Sequence, residues 1–351
     1  TYNISPETLN CDCCTKKARR VPGLTHYYCT KALGFVSKVI KEIIDQRKEI
    51  KNSMERTRNK QEWKQLNERQ GAIKILANAT YGMYGFAGAR WYCRECAESA
   101  AAFGRHHIQE VIKNAENAHF QVLYSDTDSL FVTCPNIEKQ AKTFLAQTNK
   151  KLPGIIELDL QGMYKKGLFV PQKIGGYTAK KRYVLLDTKG NFVIRGLETV
   201  RRDWCDIAKK LQRDVIELIL TGKEKEAVNE VRKTIERVVK RQIDIKEIAL
   251  RTQLGKELEE YKQIGPHVMV AQKLKKAGHI VRQGMVLSFV ITQGKGSISE
   301  RAKSTDMVTK DDYDVEYYIN NQIIAVALRV LSVLGYKESD FTEEGLKKFV
   351  Q

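Results

Sequence analysis

Between Val36 and Ala77 the chain carries two apolar stripes at helical spacing, parted by a polar stretch long enough only for a sharp reversal. Val36, Val39, Ile40, Ile43, Ile44, Ile50 and Met54 make the first stripe; Trp63, Leu66, Ile73, Leu76 and Ala77 make the second. Arg56–Gln61 (RTRNKQ) has no apolar member and reads as a turn. Two helices joined this way should fold back as an antiparallel hairpin. Polar groups follow the same spacing. Lys74 and Asn78 are four apart and share a face, with Tyr81 three further on, and Arg47 and Lys51 repeat the pattern on the partner helix. Cations on facing helices can clamp a triphosphate, and neutralising phosphate charge is most of what a phosphoryl-transfer site must do. For any one of these residues alone, a solvated helix face is the simpler explanation.

The charge balance favours a polyanionic partner. Sixty Lys and Arg stand against 42 Asp and Glu, a net +18 over 351 residues. No acidic residue lies between Asp159 and Asp187 or between Glu260 and Glu300, yet both stretches are rich in lysine. A solvated helix face intersperses acids for i,i+4 pairing, whereas a surface that tracks phosphates excludes them. Length and composition predict two or three globular domains without long linkers. No apolar run approaches the roughly 18 residues of a membrane span, so a soluble, cytoplasmic chain is expected.

Phe120–Tyr124 and Leu130–Thr133 are β-type runs flanking Ser125-Asp126-Thr127-Asp128-Ser129, which is turn chemistry, so a β-hairpin is predicted with two carboxylates at its apex. Mg²⁺ takes oxygen ligands and is commonly held by one or two carboxylates plus substrate phosphates. Aspartates are also ordinary turn residues, so the pair alone does not establish catalysis. Further strands are predicted at Ile155–Leu160, Tyr183–Leu186, Phe192–Ile194 and Val286–Ile291. Helices are predicted at Ile207–Leu220, Lys223–Lys240, Val268–Leu274 and Tyr317–Leu334. The outline is α+β: a helical hairpin, a mixed sheet and a mostly helical C-terminal part. Of eight cysteines, Cys11, Cys13, Cys14 and Cys29 cluster in sequence, and Cys93 and Cys96 form a CxxC. A Cys₄ zinc site lacks the paired CxxC spacing of a zinc ribbon, and free thiols packed as small hydrophobes remain open.

Taken together the motifs resemble one family. Lys74-Ile-Leu-Ala-Asn78-Ala-Thr-Tyr81-Gly82 is similar to the fingers motif KxxxNxxYG of family B DNA polymerases, and Tyr124-Ser-Asp126-Thr-Asp128-Ser129 to their palm motif YxDTDS. Lys180-Lys181-Arg182-Tyr183 resembles the KKRY element near the palm–thumb junction. Arg90–Ser99, Arg195–Glu198 and Glu316–Gln322 are similar to the archaeal branch. The resemblance implies a right-hand architecture, with residues 1–35 and 87–180 as palm, 36–86 as helical-hairpin fingers and 181–351 as thumb. It assigns Asp126 and Asp128 to catalysis and metal binding with two Mg²⁺ ions. Arg47, Lys51, Lys74, Asn78 and Tyr81 would contact dNTP. Lys180, Lys181, Arg182, Tyr183, Lys262, Lys273 and Lys275 would hold primer-template DNA, and Glu157 or Asp159 would approach the metals. A nucleoid-associated role follows. The archaeal likeness also implies disulfides Cys14–Cys29 and Cys93–Cys96, which intracellular proteins of hyperthermophilic archaea do form.

Three departures accompany the likeness. The family's DxxSLYPS motif, which carries another metal aspartate, is not in this sequence. An insertion at about Lys173–Ala179 precedes KKRY. Glu344-Gly-Leu-Lys-Lys-Phe349 lacks the glutamine of a sliding-clamp peptide, leaving clamp binding open. Two-metal transfer needs ions about 4 Å apart, more than one hairpin's carboxylates can satisfy octahedrally. The expectation is therefore that this polypeptide is inactive until a second polypeptide, or another segment, supplies that aspartate. A non-catalytic DNA-binding relative is the competing reading, disfavoured by the intact Asp126, Asp128, Lys74 and Asn78. An RNA-binding protein has no recognisable motif behind it.

Overall fold

A computed structural model describes residues 1–14, 17–171 and 178–341. The chain divides into two compact units, Thr1–Gln161 and Gly162–Gln351. All pairings between the described strands are antiparallel, in four small sheets.

In the first unit a two-strand ribbon, β1 (Arg19–Arg20) and β2 (Tyr27–Tyr28), precedes helices α1 (Phe35–Arg56) and α2 (Lys60–Gly85). The connection is tighter than RTRNKQ suggested. Asn59 stops the turn early because its side chain accepts from the N–H groups of Gln61 (2.9 Å) and Glu62 (3.3 Å), an N-cap. Helix α3 (Arg94–Asn117) lies against the hairpin of β3 (Gln121–Asp126) and β4 (Ser129–Thr133), and α4 (Ile137–Lys151) follows. The core joins Val21, Tyr28, Val36, Tyr84, Cys96, Ala102 and Phe103. Tyr2 stacks on Phe103 with centroids 3.7 Å apart, and the Tyr84 hydroxyl donates to the Ile4 carbonyl (3.0 Å).

Ile155–Leu160 is not a strand. Its backbone is bound by a side chain instead: Asn149 on α4 donates to the Leu158 carbonyl (3.0 Å) and accepts from its N–H (2.8 Å). That two-way amide bond satisfies the groups a ladder would otherwise take.

The second unit opens with β5 (Tyr164–Pro171), β6 (Thr178–Asp187) and β7 (Phe192–Arg195), in that order. Helices α5 (Asp206–Leu220), α6 (Glu224–Val239) and α7 (Ile245–Ile248) follow. A second sheet in the order β10-β9-β8 uses β8 (Leu250–Gln253), β9 (Val286–Ile291) and β10 (Ala302–Ser304), with α8 (Pro266–Lys276) packed on it. The last helical run comprises α9 (Val315–Tyr318), a π-helical stretch Ile319–Ile324, α10 (Ala325–Leu331) and a closing 3₁₀ turn. Contrary to expectation, Val315–Leu334 is long and apolar enough on length and composition to cross a membrane. Here it is a core helix, with Ile323, Val326, Ala327, Val330 and Leu331 fully buried among the unit's other elements. Residues Glu344–Phe349, and the part of the Lys173–Ala179 insertion up to Tyr177, lie outside the described residues.

Candidate active site

The β3–β4 hairpin presents its carboxylates on the tightest of turns. Asp126 pairs with Ser129, and Thr127 adopts a left-handed φ of 54°. The Asp128 N–H bonds back to the Asp126 carbonyl at 2.7 Å, closing a three-residue turn. Two serines lock the base: Ser125 Oγ donates to the Ser129 carbonyl (3.0 Å) and Ser129 Oγ to that of Asp126 (3.1 Å). A non-glycine residue held at positive φ is strained, and such strain gathers where a side chain must be aimed. Asp126 is half-buried, and among the described residues its Oδ1 accepts only from Thr127 Oγ1 (3.2 Å). Asp128 is exposed, and no partner among the described residues holds its carboxylate. Two hard oxygen donors without competing cations suit a divalent ion. Glu157 and Asp159 are exposed, and among the described residues neither joins Asp126 and Asp128 in a group of three candidate ligands.

The helical hairpin supplies the opposite charge, likewise uncompensated. Arg47 donates from Nε (3.2 Å) and Nη2 (3.1 Å) to Oε1 of Gln70 across the hairpin. Gln70 in turn donates to Asn67. The guanidinium is thereby aimed by a neutral partner and keeps its full charge. Lys51 and Lys74 are exposed, with no carboxylate paired to either among the described residues. Asn78 is exposed and Tyr81 is 54% exposed, one helical turn apart on α2. Gly82 follows, and a Cβ built there would touch nothing within 4 Å. A mid-helix glycine that packing does not require leaves room for the close approach of something else.

The remaining candidate residues fall in the second unit, and the structure divides them. Lys180 and Lys181 are exposed on β6, where Lys181 takes φ 59°; a Cβ on Gly196 would come within 2.0 Å of its carbonyl oxygen. Tyr183 pairs with Arg195 and packs beside Phe169. Arg182 turns inward to the fully buried Glu198 (3.2 Å), which Arg329 (3.7 Å) and Gln212 (2.8 Å) also engage. Lys262 is exposed. Lys273 donates to the carbonyls of Glu300 (2.6 Å) and Ala302 (2.9 Å), so its ammonium ties α8 to β10. Lys275 pairs with Glu259 at 2.6 Å, just outside the acid-free stretch. Reading charge from sequence missed these internal uses.

The cysteine pairing needs correction. All eight cysteines are free. Cys14 and Cys29 Sγ are 3.5 Å apart, against about 2.05 Å in a disulfide. Cys93 N-caps α3, while Cys96 is buried in the core, where desolvation raises its thiol to about 12. Cys11, Cys13, Cys14 and Cys29 converge instead, with all four sulfurs within 4.8 Å of one another.

The model of DNA polymerase family B matches residues 1–334. A DNA polymerase from Pyrococcus glycovorans is 42% identical over 99% of this chain, and one from Thermococcus sp. (strain 9oN-7) is 41% identical over the same share. The match covers 45% of each relative, so the chain spans just under half their length. The solved family B DNA polymerase of the hyperthermophilic archaeon Pyrobaculum calidifontis superposes with a TM-score of 0.70 at 35% identity, covering 96% of this chain and 43% of that one.

Proposed function

The chain belongs to DNA polymerase family B, and on that premise we propose that it carries the nucleotidyl-transfer centre of a DNA-directed DNA polymerase. The observation that carries the reading is a pair of complementary, unpaired charge sets in one compact unit. Among the described residues, the Asp126 and Asp128 carboxylates have no cation, and Arg47, Lys51 and Lys74 have no carboxylate. Water solvates such exposed and half-buried charges, but one class of ligand can engage both signs at once. A metal-bound triphosphate does so.

Residues 1–35 and 87–180 would then serve as palm, 36–86 as fingers and 181–351 as thumb. Asp126 and Asp128 would hold Mg²⁺, which when bound neutralises triphosphate charge and makes the primer 3′-hydroxyl a better nucleophile. Arg47, steered by Gln70, orients the triphosphate with Lys51 and Lys74, and the net negative charge of transfer develops against those fixed cations. Asn78, Tyr81 and the open surface at Gly82 border the nascent base pair. Exposed Lys180, Lys181 and Lys262 hold the phosphates of primer-template DNA.

Two carboxylates on one turn supply fewer ligands than two octahedral ions demand. A further aspartate, from a second polypeptide or a further segment bearing a DxxSLYPS motif, therefore completes the site. Primer extension tests both statements. The chain mixed with a polypeptide bearing that motif, or extended by a segment that bears it, should extend a primer with dNTPs, and the chain alone should bind the primer-template without extending it. Extension by the chain alone at the mixture's rate would overturn the shared-site proposal. A mixture that binds DNA yet never extends it would overturn the polymerase reading.

A further inference from the structure

Nothing in the proposed transfer chemistry uses the four converging cysteines. We propose that Cys11, Cys13, Cys14 and Cys29 form a structural tetrathiolate zinc site at the foot of helix α1. Three of the sulfur separations are 3.5, 3.6 and 3.5 Å. Zinc–sulfur bonds of about 2.3 Å in a tetrahedron place sulfurs about 3.8 Å apart. The observed edges are thus close to those of a tetrahedron, with the fourth thiol also converging on the group.

Simple hydrophobic packing does not account for the cluster, because Cys13 is exposed and Cys11 only half-buried. Hydrogen-bond donors already point at the sulfurs. The Ala32 N–H lies 3.4 Å from Cys29 Sγ and the Thr30 hydroxyl 3.7 Å from Cys14 Sγ, the outer-shell support that thiolate ligands usually have. A zinc tetrathiolate carries two negative charges, and between Cys11 and Lys31 the sequence offers one acid, Asp12, against five Lys and Arg. Soft sulfur donors in tetrahedral array select zinc or iron over magnesium, and four protein ligands leave no open position for catalysis. Loading converts four thiols to thiolates and releases four protons for each zinc ion bound.

The site would staple the base of the hairpin. The Cys29 N–H donates to the Thr8 carbonyl (2.9 Å), and its own carbonyl accepts from Asn3 Nδ2 (2.7 Å). The same Asn3 accepts through Oδ1 from the N–H of Gly34 (2.8 Å), the residue that caps α1. Metal loss should therefore loosen the helix that carries Arg47.

Elemental analysis of the purified full chain tests the site. One zinc per chain is expected, retained in Cys93→Ser and Cys134→Ser and bound at least about 100-fold more weakly in Cys11→Ser and in Cys29→Ser. Cys11, half-buried where Cys29 is fully buried, makes the first variant the milder one for folding. Cobalt added alone to the metal-stripped chain should give visible bands of tetrahedral cobalt with sulfur-to-metal charge transfer. Absence of stoichiometric metal with four thiols freely titrating would overturn the site. So would a Cys14–Cys29 disulfide in a non-reducing peptide map, and stoichiometric iron would overturn the choice of zinc.

Discussion

Gly82 sits inside helix α2 although no neighbouring atom forbids a larger residue. Replacing it with alanine should stabilise the helix by about 0.5–1 kcal/mol while raising KM for the incoming nucleotide at least several-fold. Thermal melts and steady-state incorporation check the two arms, and a loss of stability would mean the glycine serves the fold. A similar contrast separates two lysines that look alike in sequence. Lys262→Ala should weaken DNA binding and reduce the slope of log affinity against log salt by about 1. Lys273→Ala should chiefly lower stability, because its ammonium ties the Glu300 and Ala302 carbonyls. Salt titrations of both variants test this. The sequence shows where basic residues lie, but their use depends on long-range contacts: Arg182 and Lys273 each find a partner 16 or more residues away.

Elements with a strong apolar period were legible: α1, α5, α6 and β9 lie close to their expected bounds. Helix α3 was not, because its buried face is built from Cys96, Ser99, Ala102, Phe103, Val111 and Ala115, mostly small residues that form no apolar stripe. Helix α4 buries only Thr148. The apex of the β3–β4 hairpin was legible because Asp and Ser favour turns, yet the left-handed Thr127 was not, since threonine is a poor candidate for positive φ. The joint between β6 and the helices depends on Glu198, whose carboxylate is shared by two arginines and Gln212. Glu198→Ala should cost on the order of 3–5 kcal/mol, since it leaves cations partly buried without a partner; denaturant unfolding measures it, and a change under 1 kcal/mol would contradict the account. In α8, burial lowers the pKa of His267 below its ordinary 6.5. The unfolded chain therefore takes up that proton first, so the stability held above about pH 6.5 is lost as the pH falls through the lowered value. His267→Gln should flatten this part of the profile, read from midpoints of thermal unfolding between pH 5 and 8.

At the scale of the molecule, a net +18 chain that aligns with family B polymerases along nearly its whole length keeps both signs of charge available in its first unit. Cations far outnumber acids overall, yet the β3–β4 hairpin presents two carboxylates with no paired cation among the described residues. Such a pair favours the proposed metal-dependent transfer centre over a passive DNA clamp, which would gain affinity by losing both aspartates. Single-turnover incorporation of one dNTP into a primer-template, by the chain supplied with the DxxSLYPS polypeptide, addresses the difference directly when Asp128→Ala is compared with the parent. The rate should fall at least about 1,000-fold, with primer-template affinity nearly unchanged. Retained incorporation, or a loss that follows weakened DNA binding alone, would contradict the assignment of Asp128 to catalysis.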